Sequence, residues 1–475
     1  MTQEVLDDAY IGYSEELAIF QKPIQNVGIK NNHITTFYPV NDFSTQGVIQ
    51  FQINNNSSNY LDLRRTRLNI TCKIVRQNGV SIEPVTVAKD SNSREKRAKD
   101  EESTDAAAST STSADTSTKQ ATVGVVNNFM HSMFSRVDVA LQNKVLTHSD
   151  ESYPYLAYFK ALLHTNTEMK NTTLQMGMFY KDTPGELGDP NWQLGDNKGL
   201  TKRSSFFANS NEVDMSGNLY CDILEIYKFI PNGVNLGVTL YPSTPEFCLM
   251  APELTAGGYK VQITRASLSV SMIEVIPEIL VSHAEIMHNK QAIFPYIKTE
   301  VKKFTLGKGQ FSCTVNDPFA GRVPCEMVCG LVTDVSNHGT LFTNPFMFEH
   351  TSLNFIQVTV DGHDLGQGPI IPSYNKTPET SSYIDAYKTL CGIEYGDHFN
   401  PLSHEEYMQG YTFYRFVADS QYISSNDDIL PLKRTGNLRI SLRFAAALPE
   451  PTTLIVFAKF PATVTIDKYR GVTDV

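Results

Sequence analysis

The stretch "NNFMHSMFSRVDVALQNKVL" (127–146) is answered far downstream by "NPFMFEHTSLNFIQVTVDGHDL" (344–365). Each opens on Asn-x-Phe-Met, crosses a short mixed segment, and enters a run where apolar and polar residues alternate before a polar turn. Alternation of period two marks a strand with one face toward a core. Working outward, the correspondence extends. The first half has Phe129-Met130, a strand over 137–143, a helix over 155–163, and strands over 217–224 and 235–241. The second has Phe346-Met347, a strand over 355–362, a helical segment over 383–391, and strands over 410–417 and 437–443. The order is the same and only the spacing differs, as loops of unequal length allow. The pattern predicts a duplicated domain; two unrelated β-domains of similar texture are the competing reading.

Further strands read from "GVIQFQI", "RLNITCKIVRQNG", "KVQITRASLSVSMIEV", "VKKFTLG", "CEMVCGLVTDV" and "TTLIVFAKFPATVTI". No βαβα alternation is present, which disfavours a parallel sheet. Helices are few. In "PYLAYFKALLHT" the apolar Tyr155, Tyr158, Phe159, Leu162 and Leu163 form a single stripe, and Pro154 suits a first helical position. The expected fold is all-β: two tandem eight-stranded jelly-roll barrels with short helices in the connecting loops. An N-terminal arm is expected over 1–45, acidic through Glu4, Asp7, Asp8, Glu15 and Glu16. The first barrel is expected over 46–280 and the second over 281–475. Residues 89–120 are charged and then Ser/Thr/Ala-rich, without a large apolar residue, and read as a mobile inserted loop. The cluster Arg94, Lys96, Arg97 and Lys99 reads as part of that solvated loop, against an import signal or protease target.

With 475 residues the chain exceeds one ordinary core. Its 26 Phe and 22 Tyr favour β-structure. A net charge of -11 makes non-specific wrapping of nucleic acid a poor expectation. The seven cysteines are irregularly spaced without a CxxC, so reduced thiols are expected. Cys325 and Cys329 read as small core residues rather than a metal pair. No signal-peptide pattern opens the sequence and no apolar run suits a membrane span. The sequons at Asn56, Asn69, Asn171 and Asn375 then read as chance matches.

Catalytic signatures are missing: no P-loop, HExxH, GxSxG or helix-opening GxGxxG occurs. "LGKGQ" (306–310) reads as a hairpin turn. On a helix, the five-residue spacing of His283 and His288 in "HAEIMH" would put them on different faces, which disfavours a shared metal. "HSD" (148–150) and "DGHD" (361–364) read as polar turns, and "HEEY" (404–407) as the first turn of a short helix. Trp192, in "GDPNWQLGD", anchors either its own loop or a neighbouring subunit. No catalytic, cofactor-binding or metal residue is assigned, no cofactor is expected, and the chain is not read as an enzyme.

"TVGVVNNFMHSMFSRVDVALQNKVL", "YPYLAYFKALL", "FYKDTPGEL", "NPFMFEHTSLNFIQVTVDG", "GNLRISLRFAAALPEPTTLIVFAKF" and "VTIDKYR" together resemble the hexon-like major capsid proteins of Polinton/Maverick elements and adintovirus-like viruses. The likeness runs in order over about 45–470, and the insertion 89–120 stands outside it. The resemblance implies a double jelly roll with both barrels upright in a shell, pseudo-hexagonal homotrimeric capsomers and an icosahedral particle. It implies self-association, partners among penton or minor capsid proteins, and no sequence-specific nucleic-acid contact. It places the protein in the virion, after synthesis in a host cytoplasm and assembly there or in the nucleus. A two-module carbohydrate- or receptor-binding sandwich is the alternative, and a cupin-like enzyme a third reading.

Overall fold

A computed structural model describes residues 28–42, 47–82, 85–88, 116–119, 123–147, 150–252, 258–366, 368–374, 383–392, 402–418 and 430–474. The first half supplies β1 (Ile29–Phe37), β2 (Ile49–Ile53), β3 (Asn59–Arg76), β4 (Phe134–Leu141), β5 (Lys144–Val145), β6 (Val213–Asn218), β7 (Leu236–Pro242) and β8 (Tyr259–Val275). The second supplies β9 (Ala292–Leu306), β10 (Ser312–Asn316), β11 (Glu326–Thr333), β12 (Leu353–Val360), β13 (His363–Asp364), β14 (Phe413–Val417), β15 (Leu438–Phe444) and β16 (Thr452–Ile466).

In the first half one sheet has the order β1-β8-β3-β6 and the other β2-β7-β4-β5. In the second half the orders are β9-β16-β11-β14 and β10-β15-β12-β13. Adding eight to every strand of the first half reproduces the second. All these pairings are antiparallel. First and last strands lie side by side in each half, the wiring of a jelly roll. One additional strand, β17 (Val472–Asp474), extends the second barrel's larger sheet beside β16.

Local chemistry explains the elements. β2 and β15 alternate buried and open positions, because one face lines a barrel and the other does not. β11, in contrast, is buried at seven consecutive positions from Glu326 to Val332, so both of its faces are covered. Asn-Gly at 78–79 closes β3 with Gly79 at φ 85°, a conformation that glycine adopts without strain. The longer helices are α1 (Tyr153–Leu163), α2 (Lys198–Phe206), α3 (Pro277–Asn289) and α4 (Ile384–Cys391). α1 and α4 occupy the same place in the two halves, between the fifth and sixth strands of each barrel. The duplicated order read from the sequence is therefore the order of the fold.

Three boundaries shift. Ile29–Phe37, inside the segment 1–45 read as an arm, is the first strand of the first barrel and pairs with β8 from Val275 to Leu268. It lies at a sheet edge with most side chains exposed, so it carries no apolar alternation. Of the expected arm, 1–27 and 43–45 lie outside the described residues. The strand expected over 217–224 ends at Asn218; Leu219, Cys221, Ile223 and Leu224 are buried from a loop that closes in a 3-10 turn over Asp222–Glu225. The division expected at 280/281 falls within α3, in the connection between β8 and β9. Within the insertion 89–120, residues 116–119 pair with 85–88; 89–115 and 120 lie outside the described residues, and the basic cluster at 94–99 with them.

Candidate functional site: the seam between the barrels

α1 belongs to the first barrel's sequence but is buried almost all round, with only Leu156 partly open. A helix that serves one sheet leaves a wet face. This one has a second surface to cover: the second barrel's larger sheet. Tyr158 stacks on Phe346 with ring centroids 4.3 Å apart and planes 10° apart. Phe159 lies against Phe348 (5.4 Å), Phe413 (5.2 Å) and Phe457 (5.3 Å). Tyr155 meets Phe346 (5.8 Å) and Phe247 (5.9 Å) edge-on. Aromatic pairs of these geometries add about 0.5–1.5 kcal/mol each beyond their area. The Phe-Met of the second repeat therefore docks its phenyl ring on the helix of the first. Two glycines permit the closeness. A Cβ on Gly330 of β11 would lie 2.6 Å from the Phe348 ring. One on Gly339, at φ +88°, would lie 2.7 Å from the Phe247 backbone.

Polar groups complete the seam. Lys160, on the otherwise apolar α1, donates to Asp222 Oδ1 (2.6 Å) and Glu225 Oε1 (2.7 Å). Asp222 then accepts from the backbone N–H (2.7 Å) and the hydroxyl (2.9 Å) of Thr299 on β9. Burial alone would lower the Lys160 ammonium's pKa; Asp222 and Glu225 outweigh it and hold the group above its ordinary value. A second cluster surrounds Glu326 on β11. Its carboxylate accepts from Arg415 Nε (2.7 Å) and Lys459 Nζ (2.8 Å). Burial would raise this carboxyl, but Lys459 and Arg415 hold it well below the usual carboxylate range. Lys459 also reaches His164 Nε2, just past the end of α1, at 2.6 Å. The His164 ring is exposed, and as the neutral imidazole it accepts from the ammonium. Further along, Lys302 pairs with Asp150 (2.7 Å), the Tyr411 hydroxyl donates to the Asp182 carbonyl (2.8 Å), and the Asn344 amide donates to the Leu187 carbonyl (3.1 Å). Inside the first half, Arg203 and Asp182 form a fully buried ion pair at 2.7 Å. Arg203 also donates to the carbonyls of Val125 and Tyr180, which fixes the loop that carries Asp182.

The residues singled out in the sequence are not gathered at one place. Cys325 and Cys329 are buried, with thiols pushed up to about 12, and none of the seven cysteines is in a disulfide. They fill core space. His283, on α3, contacts the Tyr60 hydroxyl at 2.9 Å. His404 opens the one-turn helix His404–Met408, capped by Ser403 and Glu406. Trp192 is buried and its carbonyl accepts from Thr201, so it anchors its own loop. "LGKGQ" forms the turn between β9 and β10. His148 lies outside the described residues. Among the described residues, no three His, Cys, Asp or Glu side chains form a group suited to a metal ion, and no helix is long and apolar enough to cross a membrane. The seam residues Lys160, Asp222, Thr299, Glu326, Arg415 and Lys459 carry no local motif. The one available signal was Lys160, a cation amid apolar residues on a helix.

No family model matches the chain. It is 24% identical over 449 residues to uncharacterized protein F54H12.2 of Caenorhabditis elegans, across 93% of this chain and 97% of that one. Among solved structures it resembles a chain of the Sputnik virophage particle with a TM-score of 0.57 at 12% identity, covering 100% of this chain and 94% of that one. The Faustovirus major capsid protein matches with a TM-score of 0.54 at 10% identity, over 94% and 92% of the two chains. At such identities the likeness is one of fold, and it embraces both barrels together with their side-by-side arrangement. The chain has the double jelly-roll fold of viral major capsid proteins.

Proposed function

We propose that this chain is a major capsid protein of the hexon-like kind found in Polinton/Maverick elements and related viruses. It assembles as pseudo-hexagonal homotrimeric capsomers into an icosahedral shell. The observation that carries the reading is the seam: two barrels of one wiring are locked side by side by desolvated aromatic and ionic contacts. Three copies of such a rigid two-barrel block give six similar lobes, which a hexagonal lattice accepts. A flexible pair of binding modules has no need of a buried inter-barrel core. The Sputnik and Faustovirus resemblances support the same reading. The role requires no catalysis; the partners are further copies and penton or minor capsid proteins, and the place of work is the virion. Sedimentation of the purified chain at micromolar concentration tests it. Trimers are expected, and a strictly monomeric species would count against it.

A further inference from the structure

A second site stands apart from the seam's aromatic core. A cavity of about 300 Å³ opens between α2 and the segment 167–181. Ten residues line it; four are lysines, Lys170, Lys181, Lys198 and Lys202, and none is an aspartate or glutamate. In a chain of 475 residues with 40 lysines and arginines and net charge -11, that local excess calls for a cause. Asn171 and Gln175 add amides able to donate to the same space. Lys198 and Gly199 are the first residues of α2, whose first turn thus borders the cavity.

Lys170 is the telling member. Its side chain is buried, and its ammonium donates to the Leu162 carbonyl at 2.6 Å. Lys181 pairs with Glu406 at 2.7 Å, whereas Lys198 and Lys202 have no acidic partner among the described residues. We infer that this cavity is a binding site for a small polyphosphate anion. The volume exceeds what a single phosphate needs, and the donors surround it from two elements. Burial, and then Lys181, push the Lys170 ammonium down to about 7, the direction expected where a positive group lacks its counter-charge. Lys181 opposes the charge on Lys170 and Glu406 offsets it in part, while Lys198 and Lys202 line the same cavity. A bound polyanion restores the balance and draws a proton onto Lys170. Binding therefore weakens as pH rises above neutrality.

The site goes beyond the capsid reading and does not depend on it. Its test is calorimetric titration of inorganic tripolyphosphate into the full-length protein at neutral pH, with sodium sulfate of equal ionic strength as a second arm. One saturable event per chain is expected, weakened roughly tenfold, or about 1.4 kcal/mol, by Lys198→Gln together with Lys202→Gln. Those two residues lie on the surface of α2, so folding is retained and is checked by circular dichroism. Absence of saturable binding, equal affinity for sulfate, or an unchanged affinity in the double variant overturns the assignment.

Discussion

Phe346→Ala isolates the seam from the barrels it joins. Phe346 is fully buried, and the aromatic side chains around it, Tyr155, Tyr158 and Phe247, all belong to the first half of the chain. Removing the ring deletes a stacked pair at 4.3 Å and leaves a cavity between two sheets that cannot collapse independently. Buried Phe→Ala changes cost about 3–5 kcal/mol, and the geometry places this one in the upper part of that range. The chain's one tryptophan supplies the assay. Trp192 is buried in the first half, so its fluorescence follows that half, while far-UV circular dichroism follows both. In urea, Phe346→Ala is expected to lower the midpoint of the Trp192 transition as well as that of the ellipticity, although the change lies in the second half. A Trp192 midpoint that stays put while the ellipticity shifts would refute the reasoning, because it would mean the barrels unfold independently.

Other consequences follow from the same contacts. Lys160→Met leaves the largely buried Asp222 without its cation, while Glu225 stays open to water, and is expected to cost about 3–5 kcal/mol by urea denaturation; a loss under about 1 kcal/mol would contradict the buried pairing. Gly330→Ala places a methyl 2.6 Å from Phe348, with an expected cost of about 1–3 kcal/mol. Phe348→Leu should recover part of that loss, and simple additivity of the two changes would count against the contact. Acid should weaken the fold in two stages, read by thermal melts across pH. His131 is held neutral with a pKa of about 3 by burial, against about 6.5 unfolded, so the unfolded chain takes up its proton first and stability falls below about pH 6.5. Glu326, held low by Lys459 and Arg415, adds its own loss below about pH 4.3, where the unfolded carboxyl protonates first. His131→Gln should flatten the first stage, and melts independent of pH between about 6.5 and 4.5 would oppose this account.

Much of the architecture was legible because it was written twice. Alternation in "VDVALQN" and "FIQVTVDG", with Asn-x-Phe-Met before each and a helix after, located the fourth strand of each barrel and the helix that follows the fifth. β1 escaped because an edge strand held mainly by ladder bonds needs no apolar face. α2 escaped because its residues are largely polar, and α3 because only Met287 along it is buried. "NLYCDIL" misled because its apolar side chains enter the core from a loop, where burial sets no period. The seam was hidden for a different reason. Asp222, held by Lys160, meets Thr299 only after both barrels have closed, and Glu326 meets Lys459 only once the second barrel's larger sheet has formed, and no local pattern records a contact made at such separation. The lysine cavity was likewise dispersed along the chain, from Lys170 to Lys202.

Electron microscopy of the purified, expressed chain tests the central claim most directly. The account predicts three-fold particles of hexagonal outline, with six similar lobes supplied by three chains whose paired barrels stand upright at fixed mutual orientation. Particles that contain single chains, or barrels found at many relative angles, would contradict it.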